Sequence, residues 1–372
     1  MTVTEYTSRT LAELVALIES DGLYVDAQCW LLDDDNSFSQ DLTDDFIPSG
    51  STVELDATRT IHRTCRIGLS RELVWGNARI QPALLLSTDG DDWTRFPLGV
   101  FLTTTPNHKI TEATPTWDVQ GYDLLELLSN PLGASITLAG GDTVLSTVEA
   151  LVTGAGGTTG FDQTAAATTA AATTSWSFLE SSETTLTVCN AMLAQIGYEP
   201  IWVDRDGTFK SAPYKSPVDR ASVWSFNTSS STTTVASERT ATADMWRAAN
   251  EILGINTSPE LTTPVIGNGI TVLTNDADGP TSVAARGRTI RKIMQGQFVS
   301  QAALETAVLQ AMNIEKRVAT KVQCRVSPNP TLSHNSVVSY RDDAIPVNGS
   351  HIVERWTLPL DGGDMTLDLR QV

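Results

Sequence analysis

Positive charge is scarce in this sequence: 25 Lys and Arg stand against 44 Asp and Glu, a formal net of −19. A field of that sign repels nucleic acid and anionic lipid, which disfavours a protein that grips DNA, RNA or a membrane surface. Cysteine is scarce too. Cys29, Cys65, Cys189 and Cys324 lie far apart and form no CxxC pair. There is no signal-like segment after Met1 and no long apolar run. These absences argue against a disulfide framework, secretion and a membrane anchor, so the protein is expected to be made in a cytosol and to stay soluble. The sequons at Asn227, Asn256 and Asn348 then read as chance matches.

What is present suffices for folded cores. Hydrophobic residues make up 41% and charged residues 19% of 372. That excludes wholesale disorder, and the length suits two or three domains, since single cores stop growing near roughly 250 residues. The charge is unevenly spread. Residues 1–60 carry 13 Asp and Glu against Arg9 and Arg59, a local net of −11. Residues 286–325 carry Arg286, Arg288, Arg291, Lys292, Lys316, Arg317, Lys321 and Arg325 against Glu305 and Glu315, a net of +6. Two such regions can meet within the fold, meet between copies in an oligomer, or simply be two solvated faces.

The periodicity predicts a β-rich α+β chain. Leu11, Leu14, Val15, Leu17 and Ile18 have helical spacing between Thr10 and Gly22. Short apolar runs at 53–56, 61–69, 83–86, 98–102 and 116–119 read as strands of a barrel or sandwich. They are separated by expected turns at Ser49-Gly50, Asp89-Gly90-Asp91-Asp92 and Pro106-Asn107-His108, and a helix is expected over 122–128. Helices follow at 142–152 and 184–196, then a hairpin whose turn is Asp204-Arg205-Asp206-Gly207. Residues 153–185 hold 14 Ser and Thr, 7 Ala and 4 Gly, too little apolar side chain to hold themselves, and read as a loop. Beyond 223 strands return, interrupted by one long helix at 300–316 and closing with strands over 318–326, 336–340, 352–358 and 365–369.

Motifs that carry chemistry are missing. His62, His108, His334 and His351 sit in separate segments without HxxxH or HExxH spacing. No GxSxG elbow, P-loop or GxGxxG occurs, and Gly154-Ala155-Gly156-Gly157 lacks the lysine of a phosphate loop. Asp33-Asp34-Asp35-Asn36 and Asn275-Asp276-Ala277-Asp278-Gly279 lack the distal glutamate of a calcium loop and read as solvated turns. No catalytic, cofactor-binding or metal residue is nominated, and no cofactor is expected. Trp75, Trp93, Trp117, Trp202 and Trp356, in or beside expected strands, read as core.

Three stretches carry a resemblance. The first runs from Gly99-Val100-Phe101 to Trp117-Asp118-Val119-Gln120-Gly121-Tyr122-Asp123-Leu124-Leu125. The second spans 186–214, with Gly197-Tyr198, Asp204 to Lys210 and Ala212-Pro213-Tyr214. The third starts at Pro328-Asn329-Pro330 and passes through Val337-Val338, Leu358-Pro359-Leu360, Gly362-Gly363 and Met365 to Arg370. In this order the chain resembles the tail-tip or baseplate hub proteins of tailed bacteriophages, especially minor tail proteins of long-tailed phages infecting actinobacteria. The resemblance implies a structural virion protein of the tail tip with two β-barrel tube-like domains, at 1–133 and 216–372, joined by a small α/β domain at 134–215. It implies a homotrimer that adapts the hexameric tail tube to a threefold tip. Its partners would be tail tube and distal tail proteins, the tape measure protein, a central fibre or spike, and genomic DNA passing transiently through the lumen. Net acidity would suit a bore through which DNA slides without sticking. Many hubs carry a fused lysozyme or peptidase; this chain stops after its last expected strands, so enzymatic work would belong to another subunit. The 153–185 stretch has no counterpart in the resemblance.

Two other classes fit the composition. A carbohydrate- or receptor-binding tail module would expose clustered aromatics in a groove. A glycoside hydrolase would hold two carboxylates about 5–10 Å apart in a cleft, although aromatics, at 6%, are sparse for a sugar site.

Overall fold

The computed structural model describes residues 2–372 apart from 21, 76–77, 112–113, 133–135, 139–141, 165–175, 179–182, 231–233, 244–247, 258–262, 297, 299–300, 317–319 and 346. Side-chain alternation builds its main sheet. In Thr320–Val326, Val322, Cys324 and Val326 are buried while Lys321, Gln323 and Arg325 face water. Successive strand residues point to opposite faces, so this period of two yields one apolar and one polar face. Phe46–Asp56, Arg63–Leu69 and Met365–Gln371 repeat the pattern.

Fifteen strands join into one sheet. Its hydrogen-bonded path runs Thr2–Glu5, Asp92–Pro97, Arg79–Ser87, Phe101–Thr111, Thr114–Asp123, Arg63–Leu69, Phe46–Asp56, Val347–Pro359, Met365–Gln371, Thr320–Val326, Val235–Ala243. The two β-rich blocks are therefore fused. Phe46–Asp56 pairs antiparallel with Val347–Pro359, in register from Asp56 opposite Arg355 to Thr52 opposite Pro359. One buried cluster draws on both blocks, from Leu55, Ile67 and Val119 to Val353, Trp356 and Leu367. The path ends at Thr2–Glu5 and Val235–Ala243, and among the described residues no pairing closes it into a barrel.

Two smaller units are attached. Helices Val144–Gly154 and Thr185–Gln195 cover the hairpin Trp202–Val203 and Thr208–Lys210 around fully buried Phe209. The second is a four-stranded sheet of Val265–Ile266, Gly269–Thr274, Glu251–Asn256 and Arg291–Gly296. Helix Gln301–Lys316 lies on one face of it, burying Ile252, Leu304, Val308 and Met312. Contact is close enough that a Cβ at Gly254 would stand 2.4 Å from Val308 Cγ2.

Several expectations hold, including helix Leu11–Ile18, whose Thr10 and Glu13 form a capping box. Others change. The helix expected over 122–128 is a strand to Asp123 followed by a 3₁₀ turn, Leu124–Leu128, because Tyr122 pairs with Thr64 and the Asp123 carboxylate accepts Leu125 N–H. Two expected turns are bulges inside long strands. Gly50, at φ +77°, lies where the register shifts between Ile47 and Thr52, and Pro106 follows a shift after Thr103. Proline and left-handed glycine interrupt a ladder locally without ending the strand. Strands Val235–Ala243 and Arg291–Gly296 were not foreseen, being too polar to show an apolar run. Of the Ser/Thr-rich 153–185, Thr158–Thr159 adds a parallel strand beside Thr208–Lys210; 165–175 and 179–182 lie outside the described residues, as does Arg317 of the basic segment.

Candidate functional site

The strands at the seam between the two blocks send apolar side chains into the shared core and polar ones out, and across the seam the polar ones align in rows. One row is Thr240, Gln323, Asp368, Arg355 and Asp56, each opposite the next. The next is Arg325, Thr366, Thr357, Glu54, Thr64 and Tyr122. A polar face thus runs without interruption from one β block to the other.

Its cations are neutralised in place. Arg66 and Lys109 share Asp118, with Lys109 Nζ 2.9 Å from the carboxylate. Arg59 and Arg355 hold Glu54 at 3.2 and 3.1 Å. Lys321 and Arg370 hold Glu354 at 2.8 and 2.6 Å, and Arg325 meets Glu238 at 3.0 Å. Donation from Arg66 holds the Asp118 carboxyl at about 2, so it stays ionised and the pairing persists at neutral pH. DNA affinity arises when Lys and Arg replace counterions on phosphates. Cations already matched by fixed carboxylates have little to offer, so this face can lie against a polyanion without holding it.

A second constellation fixes the blocks relative to one another. The turn Asp204–Gly207 reaches into the first block, where Gln81 donates to Arg205 O at 3.2 Å and Asn36 to Gly207 O at 3.3 Å. Buried Arg63 donates to Val203 O at 3.0 Å, while its backbone N–H donates to Asp123 at 2.9 Å. Buried Arg205 reaches the other way and donates to Leu332 O at 3.2 Å. Burial lowers its guanidinium to about 10, still charged at neutral pH. Burial also lifts Asp123 to about 6, against the Arg63 and Leu125 N–H donors that favour its ionised form.

Beside the turn, the His334 ring stacks on His62 and on Trp202, at 4.7 and 5.4 Å between centroids. Both Nδ1 atoms are buried without a partner. Burial, with the Arg63 charge adding to it, lowers His62 to about 4, and burial likewise depresses His334. The pair is therefore neutral at pH 7. Of the other histidines, His108 stacks on Trp117 at 4.6 Å and His351 packs edge-on to Tyr340. Tertiary structure alone brought His62 and His334 together; no spacing in the sequence signals it.

The remaining suspects have structural roles. All four cysteines are free and buried. Asn36, in the acidic turn, sits at φ +67° and links Arg79 to the Asp204–Gly207 turn. Asn275 is buried and donates to Asp278 O at 2.8 Å. Among the described residues, no group of three or more His, Cys, Asp or Glu could hold a metal ion. A cleft of about 530 Å³ beside His62 contains Glu199, but Arg220 occupies one of its oxygens and Asn335, at 2.6 Å, the other. Of the tryptophans expected in the core, Trp93 and Trp356 are buried, while Trp75, Trp117 and Trp202 are only partly buried; Trp224 is buried as well. Among the described residues no helix is long and apolar enough to cross a membrane.

No family model and no curated protein matches this chain. Solved structures do. A tail protein from Neisseria meningitidis superposes with a TM-score of 0.62 at 13% identity, covering 93% of this chain and 97% of that one. The 43 kDa tail protein of prophage MuSo2 from Shewanella oneidensis gives 0.61 at 10% identity, covering 92% and 98%. A prophage tail protein from Listeria monocytogenes gives 0.55 at 11%, covering 93% and 94%. At such identities the fold is what is shared, and it is shared over more than nine tenths of the chain with a tail protein and two prophage tail proteins.

Proposed function

We propose that this chain is a structural protein of a phage tail, assembled as a trimeric hub at the tail tip. The observation that carries the reading is the ion-paired polar face continuous across both β blocks, on a fold shared over more than nine tenths of its length with tail proteins. In this reading 1–133 and 216–372 are the tube-like domains and 134–215 the connecting unit. Three chains contribute six tube-like blocks to a ring, and the polar faces line its bore.

The bore conducts DNA by failing to bind it. Paired cations release no counterions when a phosphate passes, and the chain's net charge of −19 adds a weak general repulsion. The hub has no enzymatic task of its own in this account. Its neighbours are the tail tube, distal tail and tape measure proteins on one side and a fibre or spike on the other.

Mass measurement of the purified protein in solution, followed by imaging of any ring, tests this. A trimer with a bore wide enough for duplex DNA is the expected result. A monomer at all concentrations, or a ring whose bore presents unpaired Lys and Arg, would overturn it.

A further inference from the structure

Four parts of the fold converge on the cleft of about 530 Å³ beside His62. His62 comes from the first β block, Glu199 and Tyr214 from the connecting unit, and His334 and Asn335 from the second block. Gln310 and Asn313 come from helix Gln301–Lys316. The volume falls among those of small-molecule sites, which are largely preformed and carry a few convergent polar groups.

One wall is fixed by the chain's own hydrogen bonds. Arg220 donates from Nε to Lys215 O at 2.9 Å, from Nη1 to Asn335 O at 3.2 Å, and from Nη2 to Glu199. Asn335, in the left-handed region at φ +58°, donates to the other Glu199 oxygen at 2.6 Å. At the rim, Tyr214 is held by its N–H, which donates to Gly197 O at 2.8 Å, and the residue is 43% exposed.

These bonds also set the charge that a ligand meets. Arg220 is committed to Glu199, and Arg370 to Glu354. Both imidazoles are neutral at pH 7, and their Nδ1 atoms have no partner. Gln310 and Asn313 stand one turn apart on the exposed side of their helix, and among the described residues no hydrogen bond engages either amide. Asp219, exposed at the rim, adds a negative charge. Phosphate or carboxylate ligands therefore find no free cation in the lining. Side-chain amides, by contrast, both donate and accept, as hydroxyl groups do. The exposed ring of Tyr214 offers an apolar face to C–H groups.

We propose that this cleft binds a neutral saccharide, its hydroxyls bonded by Gln310 and Asn313 and one face of its ring against Tyr214. Such a site adds a ligand to a structural protein and stands whether or not the chain is a trimer.

Ligand-observed NMR titration of the full chain tests it, with glucose, galactose, mannose, rhamnose and N-acetylglucosamine as probes and glucuronic acid as the charged comparator. Saturable binding of at least one neutral sugar is expected, with glucuronic acid bound more weakly than glucose or not at all. Gln310→Ala combined with Asn313→Ala, and separately Tyr214→Ala, are each expected to weaken that binding by about tenfold. All three positions are exposed, so the circular dichroism spectrum should be unchanged. A methyl glycoside that binds as well as the free sugar assigns the end of a glycan chain, whereas loss on methylation assigns a free sugar. No saturable binding across the panel, glucuronic acid bound as tightly as the neutral sugars, or binding that either variant leaves unchanged would overturn the site and leave the hub reading untouched.

Discussion

The imidazole of His62, from the first β block, lies stacked on that of His334, from the second, with planes 19° apart. The stack is a pH-sensitive rivet between blocks. His62 titrates near 4 in the folded protein against 6.5 when free, so the unfolded chain binds more protons between these values. Stability is complete above about 6.5 and is lost as pH falls toward 4. The loss is on the order of 2 kcal/mol for His62, discounted for the partial exposure of the ring. Asp123, raised to about 6, has the opposite dependence and is common to wild type and variant. Thermal melts from pH 7 to 4 are expected to fall more steeply for wild type than for His62→Phe. Parallel curves would remove the rivet.

Gly207 holds φ at +81°, and a Cβ there would stand 2.7 Å from Asn36 Nδ2 and 3.1 Å from Leu124 Cδ1. Gly207→Ala combines backbone strain with a clash at the point where the hairpin enters the first block. A loss of roughly 1–3 kcal/mol in denaturant unfolding is expected. A variant as stable as wild type would show that the turn is not seated there.

Helix Gln301–Lys316 rests on Gly254, and Gly254→Ala places its methyl against Val308 and Leu304, the latter at 2.9 Å. Overpacking of this kind costs about 1–3 kcal/mol. Hydrogen exchange should quicken in the four-stranded sheet and leave Thr320–Val326 and Met365–Gln371 unchanged. Uniform acceleration would mean that this unit and the main sheet unfold as one.

The polar face makes a prediction about nucleic acid. Asp118→Asn frees Arg66 and Lys109, Glu54→Gln frees Arg355, and Glu354→Gln frees Lys321 and Arg370. The wild type is expected not to retain duplex DNA at physiological salt. The triple variant is expected to retain it, with the slope of log K against log salt changing by about −1.8 for each pair of freed cations. Binding no tighter than wild type would show that ion pairing does not keep the face inert.

Much was legible in the sequence because local periodicity is a local property. Leu11–Ile18, the 184–196 helix, the Asp206-Gly207 hairpin and the closing strands are set by side-chain spacing and turn chemistry within a few residues. The asymmetry of charge was legible as well. Tertiary structure alone decided where each polar strand face points, and therefore that Asp118, Glu54 and Glu354 silence six basic side chains on one surface. It alone fused the blocks through Asp56 and Arg355, and set His62 against His334. Strand partners far apart in sequence are chosen by burial of the whole core, which no window of residues contains.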